Sequence, residues 1–522
     1  MLPQAGTTHL DRRLLLALAG VAFVFQIIPD IGLGFFGGYG YFIDELYYLA
    51  CARRLDFGYV DHPPLAPFLL RIQTALFGES IVSIRLLPAL AGAVTVYLSG
   101  WLAAFFGGGR WAQSLAAITA ILAPAFLIMF DFFSMNGFEI LFWTAAITVM
   151  LVMVRRNEPK LWIAFGAVAG VGLLNKHTTV LIGFALVVGL LLSPARRLLL
   201  NRWLVLGGVV AFVLFLPNIL WQIDNGWPSL EFYRNATLLK NIPSPLVTTL
   251  ANQVLFMNPV LFPIWAAGLA FLFAHDERNR VAGFAYVILL GILVVSQSSR
   301  PDRLAGLYPT LLAAGAVWWE RFFSRRAEPL RWAFVSVVIA GGLAFAPLFQ
   351  PWLPPASLAR FAAFIGIDTQ MERGEGKRAE LPQWMADRFG WEELAAQVAG
   401  VYEELPLDEQ RRTLILAPSY GHAGALELFG RPYELPPVVS AHNTYHLWGR
   451  ELAGRLADGP VIVVGSNRSD LESFFDDVQQ VGIYQCDYCM NWRNDMPLYV
   501  ARQPKLTASE FEEAWEGFKH YE

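Results

Sequence analysis

The chain has 522 residues, of which 55% are hydrophobic, 14% aromatic and only 16% charged, with a mean hydropathy of +0.44. A soluble protein of this composition would expose more apolar surface than water tolerates, so the composition indicates a membrane protein. The net charge of −4 offers no dense basic face to neutralise phosphates, which excludes a nucleic-acid binder.

Mostly apolar windows of about 17–22 residues recur from Leu14 to about Gln350, each long enough to cross a bilayer core. Roughly eleven spans are predicted, centred near Ala22, Ala93, Ile121, Ala145, Ala167, Ala185, Val213, Ala266, Leu289, Ala313 and Ile339. The first follows Arg12-Arg13 and runs to Pro29 without a small-residue cleavage site, so it reads as a retained span with a cytoplasmic N-terminus. Arg110, Arg155, Arg156, Lys160, Arg196, Arg197, Arg202, Arg278, Arg280, Arg321, Arg325, Arg326 and Arg331 fall on alternate loops, on the side of Arg12. The opposite loops carry fewer cations, chiefly Lys176, Arg234, Lys240, Arg300 and Arg303, and the positive-inside rule places these outside together with the C-terminus.

Between the first two spans lies an outer segment of about 50 residues, too long for a simple turn. Within it, Glu45–Arg54 and Pro63–Phe77 read as helices lying flat in the interface, and Trp221–Val254 as a further interfacial segment. After Pro351–Pro355 the composition turns polar. Gly366–Arg378 reads as a linker, and short β-rich runs follow at Thr413–Ala417, Pro437–Ser440, Val461–Val464 and Pro497–Ala501. The expected organisation is an α-helical polytopic membrane domain over residues 1–355, a linker over 356–382 and a small extracytoplasmic α/β domain over 383–522.

Acids at a membrane face are costly and point to function. Asp44 and Glu45 stand at the start of a predicted helix, where Asp44 is either an N-cap or a general base; adjacent helical residues face differently, so the two have different tasks. Asp61 and His62 precede Pro63-Pro64, as a helix cap or as partners for a phosphate or hydroxyl. Asp131 and Glu139 flank the outer turn that holds Asn136-Gly137, and acids there call for partners. Lys176, His177, Arg300 and Arg303 occupy outer connections, either as snorkelling anchors or, converging on one cavity, as a phosphate site. Cys486-Asp487-Tyr488-Cys489 has no second ligand pair for zinc, so a disulfide in an oxidising outer compartment is expected instead. A transporter would place ionisable groups at mid-membrane depth, and a scaffold gains nothing from acids at this one; a lipid-linked glycan flippase and a non-catalytic scaffold remain the alternatives to an enzyme.

Several segments in shared order resemble the bacterial polyprenyl-phosphate-sugar glycosyltransferases of the C-type fold, related to protein O-mannosyltransferases and to lipid A aminoarabinose and galacturonic acid transferases. Asp44-Glu45 looks like the acidic pair of that family's first outer loop, and Asp61-His62-Pro63-Pro64-Leu65 resembles its His-Pro-Pro-Leu element. Phe133–Asn136, Gly172–His177, Pro217–Gln222, Leu307–Pro309, Tyr420–Ala425 and Ser440–Gly449 are similar to further segments. Two departures stand out: Arg300-Pro301-Asp302-Arg303 where Lys-Pro-Tyr-Tyr is expected, and His422 where Glu is expected. The resemblance implies an inverting membrane glycosyltransferase at the outer face of the cytoplasmic membrane. It would take a monosaccharide from a polyprenyl-phosphate donor to an envelope acceptor of unknown class. Asp44 and Glu45 would be its catalytic pair, with Lys176, Arg300 and Arg303 at the donor phosphate. Asp61, His62, Asp131, Asn136, Glu139, His177 and Tyr308 would surround the substrates, and no cofactor or metal is expected.

Overall fold

The computed structural model describes residues 10–32, 38–240, 242–297, 300–324, 326, 328–366 and 379–522. Each of the predicted span centres falls inside a helix. Among the described residues, six helices are long and apolar enough to cross a membrane alone: Arg12–Ile31, Ile81–Phe105, Met135–Arg156, Arg202–Asp224, Glu277–Val295 and Glu328–Leu348. A seventh crossing is possible through Leu246–Phe256 and Pro259–Ala274, which meet at 89°. The other apolar runs form shorter helices, such as Leu161–Asn175, Thr179–Leu191 and Tyr308–Phe323. The run centred near Ile121 is split at Pro124 into Arg110–Leu122 and Pro124–Met129, because proline fixes its own φ and biases the preceding residue, Ala123, towards extended backbone. At a rise of about 1.5 Å per residue the 13-residue helix Arg110–Leu122 falls short of a bilayer core about 30 Å thick.

Small residues set the closest helix crossings, as expected where lipid supplies no hydrophobic drive between helices. A Cβ at Gly166 would sit 2.0 Å from the Gly207 carbonyl oxygen, which clamps Leu161–Asn175 against Arg202–Asp224. At Gly268 it would sit 1.9 Å from the Leu311 carbonyl oxygen, holding Phe262–Ala274 on Tyr308–Phe323.

Helices form at both interfacial positions of the first outer segment, Ile43–Arg53 and Leu65–Phe77. The C-terminal region builds a five-stranded sheet in the order β2-β1-β3-β5-β4, from β1 (Leu414–Leu416), β2 (Val438–Val439), β3 (Val461–Val464), β4 (Phe475–Tyr484) and β5 (Met496–Pro504). β1 pairs parallel with β2 and β3, and β5 runs antiparallel to both β3 and β4. The helix Ile43–Arg53 shares a core with this sheet: Leu46, Tyr47, Ala50 and Cys51 pack with Trp391, Leu394, Ile415 and Leu426. The helix Tyr420–Phe429 lies so close that a Cβ at Gly424 would come within 2.8 Å of the Leu46 carbonyl oxygen. This contact brings the C-terminal region over the acids of the first outer segment.

Candidate active site

A cavity of about 970 Å³ opens between the helical part and the sheet, and Asp44, Asp61, Asn136, Glu139, Lys176, Arg300 and Arg303 all line it. Residues spread over more than 250 positions of sequence therefore meet on one surface. Asp44 lies in the first turn of Ile43–Arg53, whose N-cap is Phe42 in extended backbone. The capping role falls to its neighbour, since the Glu45 carboxylate accepts the Phe42 N–H at 2.8 Å. Asp44 is thereby left to the cavity, where its Oδ1 accepts from the Tyr420 hydroxyl at 3.0 Å.

Glu45 is 0% exposed. Its carboxylate takes two bonds from Arg85 at 2.9 and 2.7 Å and one from the Phe133 N–H at 2.8 Å. The same guanidinium reaches Asp30 at 2.5 Å and the Gly40 carbonyl at 3.2 Å. Arg85 thus ties the start of the Asp44 helix to the helix Arg12–Ile31. Asp131 is likewise fully buried and ion-paired, with Arg388 from beyond the linker. It joins the helical part to the C-terminal region rather than lining the cavity, in contrast to its expected place beside substrate.

Asp61 does not cap a helix: Leu65–Phe77 starts after Pro64 without a side-chain cap. Its Oδ1 accepts from the Tyr47 hydroxyl at 2.7 Å, and that oxygen lies 2.6 Å from the Thr444 hydroxyl. A tyrosine has one proton to give, so Thr444 donates to Tyr47 and Tyr47 to Asp61, which leaves the Asp61 carboxylate an acceptor towards the cavity. His62 is 0% exposed, stacked on Tyr48 with ring centroids 4.6 Å apart. Burial lowers its pKa against the pull of Asp61. It is a neutral core histidine, not a cavity residue. Tyr308 is also interior, its hydroxyl donating to Gln253 Oε1 at 2.7 Å.

The cations are organised by acids. Lys176, which ends the helix Leu161–Asn175, donates to Asn136 Oδ1 at 2.8 Å and Glu139 Oε2 at 2.7 Å, and Thr178 donates to the other Glu139 oxygen. Asn136 is in the first turn of Met135–Arg156, capped by Ser134, so the expected turn is a helix start. Arg300 binds Asp302 through two bonds of 3.0 and 3.2 Å. Burial alone would raise the Asp302 pKa, but Arg300, with Lys176 and Arg303, outweighs it and holds the carboxyl at about 2. Arg303 is exposed on the cavity wall. His177 is not among the cavity-lining residues; it lies between the Tyr233 hydroxyl (3.1 Å) and Asn218 Oδ1 (3.0 Å), its pKa lowered by burial.

Asp302, Tyr420 and His422 are functional candidates that the residue types alone did not single out. The replaced Lys-Pro-Tyr-Tyr element and the altered Tyr420–Ala425 segment were the available signals. His422 is buried, with Ser419 Oγ 2.7 Å from its Nδ1. Burial, and next the Arg493 charge, lower its pKa from 6.5 to about 3. Between those values the unfolded chain binds a proton that the folded chain refuses, so stability is lost as pH falls below about 6.5, at up to about 1.4 kcal/mol per pH unit. Thermal unfolding at pH 7.5 and 5.5 should therefore show a smaller loss for His422→Gln than for the unaltered protein.

The expected disulfide is absent: Cys486 and Cys489 are both free thiols, and Cys489 Sγ donates to the Cys486 carbonyl at 3.3 Å. A hydrogen bond with Cys489 brings the Cys486 pKa down to about 7.

Residues 61–221 match the family model described as dolichyl-phosphate-mannose-protein mannosyltransferase. Over 288 residues the chain is 24% identical to the lipid A galacturonosyltransferase RgtD of Rhizobium johnstonii, a match covering 53% of this chain and 60% of that protein. Among solved structures, ArnT from Cupriavidus metallidurans in the apo state is similar with a TM-score of 0.57 at 15% identity, covering 94% of this chain and 97% of that one. The same protein bound to undecaprenyl phosphate gives 0.56 at 16%, with the same coverage. These two likenesses speak for the fold. The two sequence matches add a likeness to polyprenyl-phosphate-sugar glycosyltransferases over part of the chain, and the apolar helices fit a multi-pass membrane protein.

Proposed function

We propose that the chain is an inverting glycosyltransferase that moves a monosaccharide from a polyprenyl-phosphate donor to an envelope acceptor at the outer face of the cytoplasmic membrane. The observation that carries this reading is one cavity lined both by an acid that is not its helix's N-cap, Asp44, and by Lys176, Arg300 and Arg303. In the reaction, Asp44 takes the acceptor hydroxyl's proton as its oxygen attacks the anomeric carbon. The sugar–phosphate C–O bond breaks, its electron pair leaves with the polyprenyl phosphate, and the cations stabilise the charge that develops there. Glu45, locked to Arg85, orients the helix that carries Asp44. A lipid-linked donor suits a site at the headgroup level of a membrane protein, and the solved ArnT complex holds an undecaprenyl phosphate.

If these cations hold the donor phosphate, Lys176→Met and Arg303→Met should each weaken donor use by about 10–1000-fold while both variants still fold. Donor titrations in a transfer assay measure this, and unaltered kinetics would return either residue to an anchoring role. The orientation is tested separately. In a cysteine-free background, Ser357→Cys and Asp470→Cys should react with an impermeant thiol reagent from outside, and Arg156→Cys only from the cytoplasm. Labelling of position 470 solely from the cytoplasm would place the cavity on the wrong face.

A further inference from the structure

The C-terminal region builds part of the cavity wall, and beyond Tyr420 the proposed chemistry makes no use of it. His422 and Arg493 lie within it, 5% and 2% exposed. Both pack on Trp391: His422 edge-on at 5.4 Å and the Arg493 guanidinium over the ring at 4.2 Å. Arg493 spends its terminal nitrogens on Asp387 at 3.1 Å and on the Ala386 and Phe389 carbonyls. Among the described residues, His422 Nε2 and Arg493 Nε are buried without a hydrogen-bond partner. Arg493 Nε is a donor, and so is His422 Nε2 in the tautomer in which the Ser419 hydroxyl donates to Nδ1. Orphaned buried donors are costly and call for an acceptor.

The rest of this wall shows the nature of that acceptor. Trp492 lines the cavity with 36% of its surface exposed, so its ring is open to a bound group. Asp470 and Asp495 add exposed carboxylates. Buried N–H donors, exposed carboxylates and an open aromatic face together suit a group rich in hydroxyls with apolar C–H faces. The carboxylates oppose an anionic group.

We infer that this wall is the subsite for the acceptor, and that the acceptor group bound there is a saccharide without negative charge, held by Trp492, His422, Arg493, Asp470 and Asp495. The inference rests on the transferase reading for the word acceptor, and it goes further by excluding a polypeptide and an acidic sugar at this wall. Its test is binding without donor. Full-length protein in nanodiscs is titrated calorimetrically with a neutral disaccharide methyl glycoside, the corresponding uronic-acid disaccharide, and a serine- and threonine-rich peptide. The neutral disaccharide should bind saturably, the uronate about 10-fold more weakly and the peptide not at all. Trp492→Ala, at an exposed position, and His422→Phe should each weaken the disaccharide about 10-fold, whereas His422→Gln, which keeps an N–H donor, should weaken it less. Peptide binding, uronate binding as tight as the neutral sugar, no saturable saccharide binding, or unchanged affinity in both Trp492→Ala and His422→Phe would each overturn the inference. Saccharide binding by a protein that transfers no sugar would support this subsite and sink the transferase reading instead.

Discussion

Asp44→Asn should lower sugar transfer by about 100-fold or more while leaving thermal stability and donor affinity nearly unchanged. The substitution separates structure from chemistry because Asp44 does not cap its helix; Glu45 does, through the Phe42 N–H. An asparagine retains an oxygen for the Tyr420 hydroxyl, 3.0 Å away in the native protein, but cannot take a proton at neutral pH. Tyr420→Phe should reduce turnover less, since it removes a donor to the base and not the base itself. Near-normal turnover in Asp44→Asn, measured at saturating donor, would move the base assignment to Asp61, a second carboxylate on the cavity wall, which accepts from the Tyr47 hydroxyl at 2.7 Å.

Arg85→Met should destabilise the protein by about 3–5 kcal/mol, the cost of stranding buried charge. Arg85 is 1% exposed and serves the carboxylates of Asp30 and Glu45 together, both of them buried. Its loss leaves two acids in an apolar setting and frees the start of the helix that presents Asp44. Thermal unfolding in detergent measures the effect. Pairing the change with Glu45→Gln should recover part of the loss, because one of the stranded charges is then gone. An Arg85→Met protein as stable as the parent would show that water or a shifted proton compensates the acids, and that Glu45 is not held by this pair.

The convergence of cations was legible in the sequence because Lys176, Arg300 and Arg303 stand in short connections nearly stripped of other charge. The roles of Glu45 and Asp131 were not. Their partners, Arg85 and Arg388, lie 40 and 257 residues away, and Arg85 sits inside an apolar helix where no local pattern announces an ion pair. His62 misled for the opposite reason: a histidine beside an acid and two prolines looks reactive, whereas packing against Tyr48 and Tyr59 makes it part of the core. The span windows located helices well but measured apolar length, not helix length, so Pro124 and the bend before Pro259 went unread. The strand β4, Phe475–Tyr484, escaped because it carries Asp476, Asp477, Gln479 and Gln480 and lies at the sheet edge, where one side needs no apolar alternation.

The most direct test of the transferase reading follows the sugar itself. Purified protein in proteoliposomes is given a polyprenyl-phosphate monosaccharide labelled in the sugar and an envelope extract as acceptor, and the product is separated and its anomeric configuration read by NMR. The account predicts label on the acceptor with the anomeric configuration inverted relative to the donor, and loss of that product with Asp44→Asn. Label that stays on the polyprenyl phosphate while crossing the bilayer would contradict it and identify a flippase instead.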